Sequence, residues 1–338
     1  MTASPLANPT ATRHMLERFG LATKHRLGQN FLVDDNVIAR ILGLARLSGE
    51  SRVLEVGPGI GTLTLGMLPL AASVTSIEAD RELEPVLADL AHEFPGFAYV
   101  MGDALRVGWD EVCGAAAGLR SATPGGAEDG RPAAGDVAAG DVAGDGQASP
   151  GGTTGSSLAP AGAGASREPN ILVANLPYNV AATIILKYLA EHPSLEAAVV
   201  MVQAEVADRI CAEPGSKSYG AYTAKLRLYG EVTGRFEVPP TCFMPAPHVN
   251  SAVVRIDRRP ACDPSTGVAL SPGRVAATCA VIEAAFAQRR KTIRNSMGAN
   301  GFEKAALDAA FAAAGIAPTA RAETLGVADF LRLSALLG

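Results

Sequence analysis

Val53-Leu54-Glu55-Val56-Gly57-Pro58-Gly59-Ile60-Gly61 is the stretch on which the fold turns. Its first four residues form a short, mostly apolar run, which reads as a buried strand. Three glycines follow at once, and a helix is expected from Thr62. Glycines let a backbone turn tightly and come close to a ligand, and a helix N-terminus adds partial positive charge beside them. A second strand, 74–77, ends in Glu78, and 82–93 places Leu83, Val86, Leu87 and Leu90 on one helical face. A third strand, 97–100, leads into Gly102-Asp103. This alternation of strand and helix predicts a parallel, doubly wound α/β sheet, with ligands at the strands' carboxyl ends.

The glycine spacing separates two cofactor classes. Dinucleotide loops read G-x-G-x-x-G, the third glycine serving close packing. Here the spacing is G-x-G-x-G, and Thr62 stands where that third glycine would fall. With the acidic Glu55 on the strand before it, the loop favours an S-adenosylmethionine methyltransferase over a nicotinamide oxidoreductase. Glu78 lies 21 residues past Gly57, a spacing that brings a carboxylate to the ribose hydroxyls of an adenosine cofactor. Asp103 stands after the third strand, where it could accept from an adenine amino group. A surface glutamate and a Gly-Asp turn are the plainer readings of each alone. Three such residues at three successive strand ends point together to one site.

A fourth strand, Ile171-Leu172-Val173-Ala174, runs into Asn175-Leu176-Pro177-Tyr178. Asparagine can both accept and donate a hydrogen bond, proline stiffens the turn, and tyrosine offers a flat face to a nucleobase. A helix over 181–190, a strand over 195–202 and helices over 204–211 and 221–229 follow. The segments 231–237 and 251–256 suit strands at a sheet edge. From about 260 onward the periodicity is helical: 275–286, 292–297, 302–313 and 327–337. Asp34 or Asp35 caps a helix whose apolar residues include Val37, Ile38 and Ile41.

Residues 1–12, small, polar and proline-containing, are expected to be disordered. From about 114 to 167 the chain is mostly Gly, Ala, Ser, Pro and Asp. So little apolar surface cannot offset ordering entropy, so 118–166 is expected to be a disordered insert within the first domain. The organisation expected is a methyltransferase domain over 13–259 and a small α-helical C-terminal domain over 260–338.

With 338 residues, 48% hydrophobic and 19% charged, the chain fits a soluble globular protein. No run of 18 apolar residues predicts a membrane span, and the first residues do not read as a signal peptide. Five scattered cysteines without a C-x-x-C pair argue for a reducing compartment, no disulfide framework and no metal site. The net charge of −5 hides an uneven distribution. Positions 225–295 hold eleven Lys and Arg against five Asp and Glu, and 13–52 hold seven against four. A basic face for nucleic acid is compatible with an acidic total.

Taken together, these motifs resemble the bacterial 16S rRNA adenine-N6,N6-dimethyltransferase family (the KsgA/RsmA type). The resemblance is carried by Leu27-Gly28-Gln29-Asn30-Phe31-Leu32, the 55–61 loop, Glu78, Gly102-Asp103, Asn175-Leu176-Pro177-Tyr178, the segment 243–254 beginning Phe243-Met244-Pro245-Ala246-Pro247-His248, and the segment 286–292 containing Gln288-Arg289-Arg290-Lys291. It implies a Rossmann-like sheet with a helical C-terminal domain. It also implies dimethylation of N6 on two adjacent adenosines near the 3′ end of 16S rRNA, in the 30S subunit or its precursor. The cofactor is S-adenosyl-L-methionine, held by Asn30, Leu32, Gly57, Gly59, Gly61, Glu78, Asp103 and Asn175. Asn175 and the Leu176 carbonyl would accept from the target amine, Pro177 would stiffen the turn, and Tyr178 and Phe243 would cover the two faces of the base. A core aromatic is the plainer reading of Phe243. Lys24, Arg26, Arg289, Arg290 and Lys291 would contact RNA phosphates, against the plainer reading of a solvated helix face. A cytoplasmic monomer is expected. The rivals are a 23S rRNA adenine methyltransferase conferring macrolide resistance, a non-catalytic nucleic-acid-binding relative, and an oxidoreductase.

Overall fold

The computed structural model describes residues 2–21, 30–119 and 168–337. Lys24, Arg26 and all but the first two residues of the expected insert lie outside the described residues. The centre is a seven-stranded sheet of order β4-β3-β2-β5-β6-β9-β7, built from β2 (Arg52–Val56), β3 (Ser73–Glu78), β4 (Phe97–Met101), β5 (Ile171–Asn175), β6 (Ala197–Gln203), β7 (Gly230–Val238) and β9 (Ser251–Arg258). The first five strands of that order run parallel. After β2 the chain winds outward through β3 and β4, then returns to lay β5 on the other side of β2. The loops after β2 and β5 therefore diverge and leave a crevice at the carboxyl ends of the strands, as a topological switch point requires.

The inner strands are buried on both faces, which is why they read as continuous apolar runs. Val53, Leu54, Leu172, Val173 and Ala198 through Val200 are at most 1% exposed. Helices α3 (Thr62–Met67), α4 (Glu84–Glu93), α5 (Trp109–Ala117), α6 (Ala181–Glu191) and α7 (Ala204–Ile210) connect or flank them. Helix α5 begins where the apolar pattern of the sequence fades. Its inward face is only Val112 and Ala116, too little to announce itself beside an Ala/Gly-rich stretch.

Two expectations are corrected. The segment 251–256 is not an edge strand: β9 lies between β6 and β7, antiparallel to both. Arg255 gives the stretch its edge-like polarity, yet its guanidinium is buried and satisfied. It donates to the carbonyls of Leu44 and Ala45 at 2.8 and 2.9 Å and pairs with Asp257. Those carbonyls end α2 (Asp35–Ala45), so the arginine caps a helix from inside the fold. The true edge, β7, shows the alternating exposure of a half-buried strand.

Residues 2–12 are also not disordered. The main-chain N–H groups of Ala3 and Ser4 donate to the Asp35 carboxylate at 3.0 and 2.9 Å, and the Ser4 hydroxyl donates to the Thr62 carbonyl at 2.7 Å. Asn8 caps α1 (Pro9–Arg18), whose Leu16 is buried with Leu6. The composition is loop-like, but a capping asparagine with proline at N1 is a helix start.

A second, two-stranded sheet pairs β1 (Phe31–Leu32) with β8 (Phe243–Met244), placing Leu32 opposite Phe243. Toward the C-terminus α9 (Pro272–Phe286), α10 (Ile293–Ala299), α11 (Lys304–Ala314) and α12 (Val327–Leu337) gather a helical core around Ile282, Met297, Phe311 and Phe330. Tyr219, Ala224 and Leu228, from around α8 (Ala221–Leu226), belong to that same core. No helix among the described residues is long and apolar enough to cross a membrane.

Candidate active site

A cavity of about 280 Å³ opens at the switch point. It is lined by residues of β1, the loop after β2, the ends of β3 and β4, and the loop from Asn175 to Val180. Asn30, Leu32, Gly57, Gly59, Glu78, Asp103, Asn175, Leu176, Pro177 and Tyr178 all contribute to it. The topology thus gathers residues spread over nearly 150 positions.

At the glycine loop the backbone itself forms the wall. Gly59 has φ +60°, and a Cβ there would sit 3.2 Å from the Phe31 ring. Its N–H donates to Oε2 of Glu78 at 3.3 Å. Gly61, expected at the cofactor, is not part of the cavity lining. At φ +85° a Cβ would come within 2.4 Å of Leu90 on α4, so this glycine serves helix packing.

Two carboxyls sit beneath the loop. Glu55 is 1% exposed and ties three elements together, its Oε2 accepting from Thr64 on α3 at 2.6 Å and from Ser76 on β3 at 2.9 Å. Burial pushes its pKa up to about 7, with the neighbouring Glu78 adding to the rise. Glu78 is also raised by burial, opposed by the N–H groups of Asp80 and Gly59. The Asp80 N–H donates to Glu78 Oε1 at 2.8 Å. Asp103 opens a tight turn: its Oδ1 accepts from Leu105 N–H at 2.9 Å, and Arg106 lies 3.6 Å from Oδ2.

Asn175 ends β5 and points its amide at the residue before β1: Nδ2 donates to the Asn30 carbonyl at 3.3 Å. That contact uses the donor end of the amide and leaves Oδ1 as its acceptor end. Leu176 is buried, and its N–H donates to the Met201 carbonyl at 3.1 Å. The loop is therefore held by the neighbouring strand. The Tyr178 hydroxyl shares a 2.7 Å hydrogen bond with Ser251 at the start of β9. Burial raises its pKa, so the phenol stays protonated.

Phe243 is placed differently from the expectation of a second wall. It is 4% exposed, packs in the core beside Leu32, and is absent from the cavity lining. Phe31 lines the cavity instead, a role the sequence does not assign to it; its closeness to Gly59 follows from a strand pairing that local periodicity does not encode. Arg289, Arg290 and Lys291 are exposed in the connection from α9 to α10, away from the cavity lining. Arg289 donates to the Lys217 carbonyl at 2.9 Å. The Ser296 hydroxyl braces the connection by accepting from Gln288 N–H at 3.1 Å and donating to the Ala284 carbonyl at 2.7 Å. Among the described residues no group of three or more His, Cys, Asp or Glu could hold a metal ion.

The sheet order and the strand-end cavity define a Rossmann-like α/β fold carrying a helical C-terminal region. Residues 20–338 match the family model for ribosomal RNA adenine dimethylase, and the chain belongs to that family of methyltransferases. It is 36% identical over 334 residues to ribosomal RNA small subunit methyltransferase A of Thermobifida fusca, covering 97% of this chain and 95% of the relative. The protein of the same name from Rhodococcus opacus is 38% identical over 335 residues, covering 98% and 94%. Among solved structures, a dimethyladenosine transferase from Plasmodium falciparum aligns with TM-score 0.61 at 20% identity, over 90% of this chain and 95% of that one. The 23S rRNA methyltransferase ErmE aligns with TM-score 0.58 at 23% identity, over 91% and 99%. These two likenesses concern the fold.

Proposed function

We propose that this chain transfers methyl groups from S-adenosyl-L-methionine to N6 of two adjacent adenosines near the 3′ end of 16S rRNA. It acts as a cytoplasmic monomer on the 30S subunit or its precursor. The observation that carries the reading is the Asn175 amide, pinned by Asn30 so that its oxygen is the acceptor at the cavity. Two full-length relatives bearing the small-subunit name support the choice of substrate.

The donor set fits an adenosyl cofactor. Glu78 offers carboxylate oxygens for vicinal ribose hydroxyls, Asp103 an acceptor for the adenine amino group, and Gly57 and Gly59 a wall without side chains. Asn30 and Leu32 close the opposite side. Bound there, S-adenosylmethionine supplies a strongly electrophilic sulfonium methyl. The protein's task is alignment and electrostatics. An adenine N6 lone pair is delocalised into the ring and attacks poorly. Asn175 Oδ1 and the Leu176 carbonyl accept from the two N6 hydrogens, which localises that lone pair and stabilises positive charge developing on nitrogen. A methylated aromatic ammonium is a strong acid, so its proton leaves without a strong base. The Tyr178 ring, anchored through its hydroxyl to Ser251, stacks on the adenine, an interaction worth roughly 1–3 kcal/mol. The target base must be unstacked to reach it. Phe243, paired across the two-stranded sheet with Leu32, supports from the core the wall that Leu32 lines. Arg289, Arg290 and Lys291 contact rRNA phosphates, as do Lys24 and Arg26.

The test is methyl transfer from radiolabelled S-adenosylmethionine to undermethylated 30S subunits, with protein-free 23S rRNA in parallel. Label entering 16S rRNA is expected. Label confined to 23S rRNA would transfer the assignment to the resistance enzymes, and no label would favour a non-catalytic binder.

A further inference from the structure

Helix α6 starts at Ala181, with two residues between it and the Asn175–Tyr178 loop, and runs back along the sheet. Its inward residues Ile184, Ile185 and Leu189 are aliphatic, but Tyr188 carries a hydroxyl into the core. Tyr188 is 2% exposed, and its Oη donates to the Ala104 carbonyl at 2.9 Å. Ala104 is the residue after Asp103. The turn it belongs to is otherwise closed by its own residues: the Asp103 carbonyl accepts from the N–H groups of Arg106 and Val107, each at 2.8 Å, and its Oδ1 from Leu105 N–H at 2.9 Å. On the strand side it is tied by Gly102 N–H donating to the Glu78 carbonyl at 2.7 Å. Tyr188 holds the turn from the opposite side.

The ring is braced. Trp109 on α5 stacks on His192 with centroids 3.8 Å apart and planes 10° apart. Tyr188 meets both edge-on, at 6.3 Å from Trp109 and 5.2 Å from His192. Burial raises the Tyr188 pKa, so the phenol remains a donor at any working pH. A phenylalanine would fill the same space, so packing alone does not call for the oxygen.

We propose that Tyr188 is a positioning residue whose hydroxyl sets the Asp103 turn relative to the Asn175–Tyr178 loop, coupling the cofactor's adenine site to the target-base site. The coupling is direct, because α6 is continuous with the loop that holds the target base. It rests on the reading of Asp103 as acceptor for the cofactor's adenine amino group.

The experiment compares wild type, Tyr188→Phe and Asp103→Ala. The readouts are Tm, kcat and KM on undermethylated 30S subunits, and Kd for S-adenosylhomocysteine and for its analogue with hydrogen in place of the 6-amino group. Wild type should prefer the amino form. For Tyr188→Phe, Kd for S-adenosylhomocysteine and KM for the cofactor rise about 5–10-fold, in line with one lost hydrogen bond. Saturated kcat changes little, and the preference for the amino form narrows. Incorporating p-aminophenylalanine at 188, which restores a donor, recovers the preference even if Tm shifts. A lowered Tm with Kd and preference unchanged overturns the positioning role and leaves a structural one. If Asp103→Ala keeps the preference, the Asp103 reading itself fails and this inference with it. If Asp103→Ala abolishes the preference but Tyr188→Phe does not, only the role of Tyr188 fails.

Discussion

The side-chain amide of Asn175 donates to the main-chain carbonyl of Asn30 at 3.3 Å, across 145 positions of sequence. One contact thus fixes which end of the amide is left to accept. It also ties the end of β5 to the short strand over the cavity. Asn175→Ala removes the acceptor, and by analogy with losing one oxyanion-hole donor kcat should fall by ~10²–10³. Affinity for 30S subunits should stay within about twofold, as judged by filter binding. Asn175→Asp keeps an acceptor but loses the donor to Asn30, and its kcat should fall between the two. An unchanged rate in the alanine variant would remove Asn175 from the chemistry.

The two glycines Gly61 and Gly43 make opposite predictions. Gly61 is at φ +85°, and a Cβ added there would lie 2.4 Å from Leu90 Cδ1. Alanine there combines left-handed strain with overpacking and should cost about 2–4 kcal/mol in urea denaturation. Gly43 lies inside α2 with nothing near a Cβ. Alanine there should gain about 0.5–1 kcal/mol.

Glu55 should make stability fall as pH rises. Its pKa is pushed from 4.5 to about 7 by burial. The raised folded value means its contribution is whole below the unfolded pKa of 4.5 and is lost as pH passes through 7. The shift corresponds to about 3 kcal/mol. Urea midpoints measured from about pH 4 to 8 without cofactor should decline over that window in wild type. Glu55→Gln should decline less. Glu78, raised in the same direction, leaves part of the slope in the variant. Parallel curves would show that Glu55 is ionised in the folded protein.

Arg290 is exposed in the braced connection after α9. Arg290→Glu should weaken 30S binding, more at about 50 mM than at about 200 mM salt, because exposed charges are screened. Loss of one phosphate contact should also flatten the salt slope by about one. Equal affinity at both salts would place this face away from the RNA.

What the sequence made legible is what chemistry writes locally. Glycines directly after an apolar run announce the loop, Glu78 and Asp103 mark the next two strand ends, and Asn175 follows its own strand. Pairing between distant short segments is not written that way. Phe31 and Leu32 form a two-residue strand only because Met244 and Phe243 lie opposite, and this pairing puts Phe31 at the cavity and Phe243 in the core. Arg255 looks like an edge residue until the last carbonyls of α2 are seen around it. Ala3 and Ser4 look like a loose end until Asp35 is placed beside them. Tyr188 reads as one more apolar position of α6, and only the fold brings the Ala104 carbonyl within reach.

The central claim is tested most directly by mass spectrometry of the nuclease-released 3′ fragment of 16S rRNA. Undermethylated 30S subunits would first be incubated with this protein and S-adenosylmethionine. The account predicts four added methyl groups, two on N6 of each of two adjacent adenosines. A fragment of unchanged mass, with methyl groups found in 23S rRNA or nowhere, would contradict it.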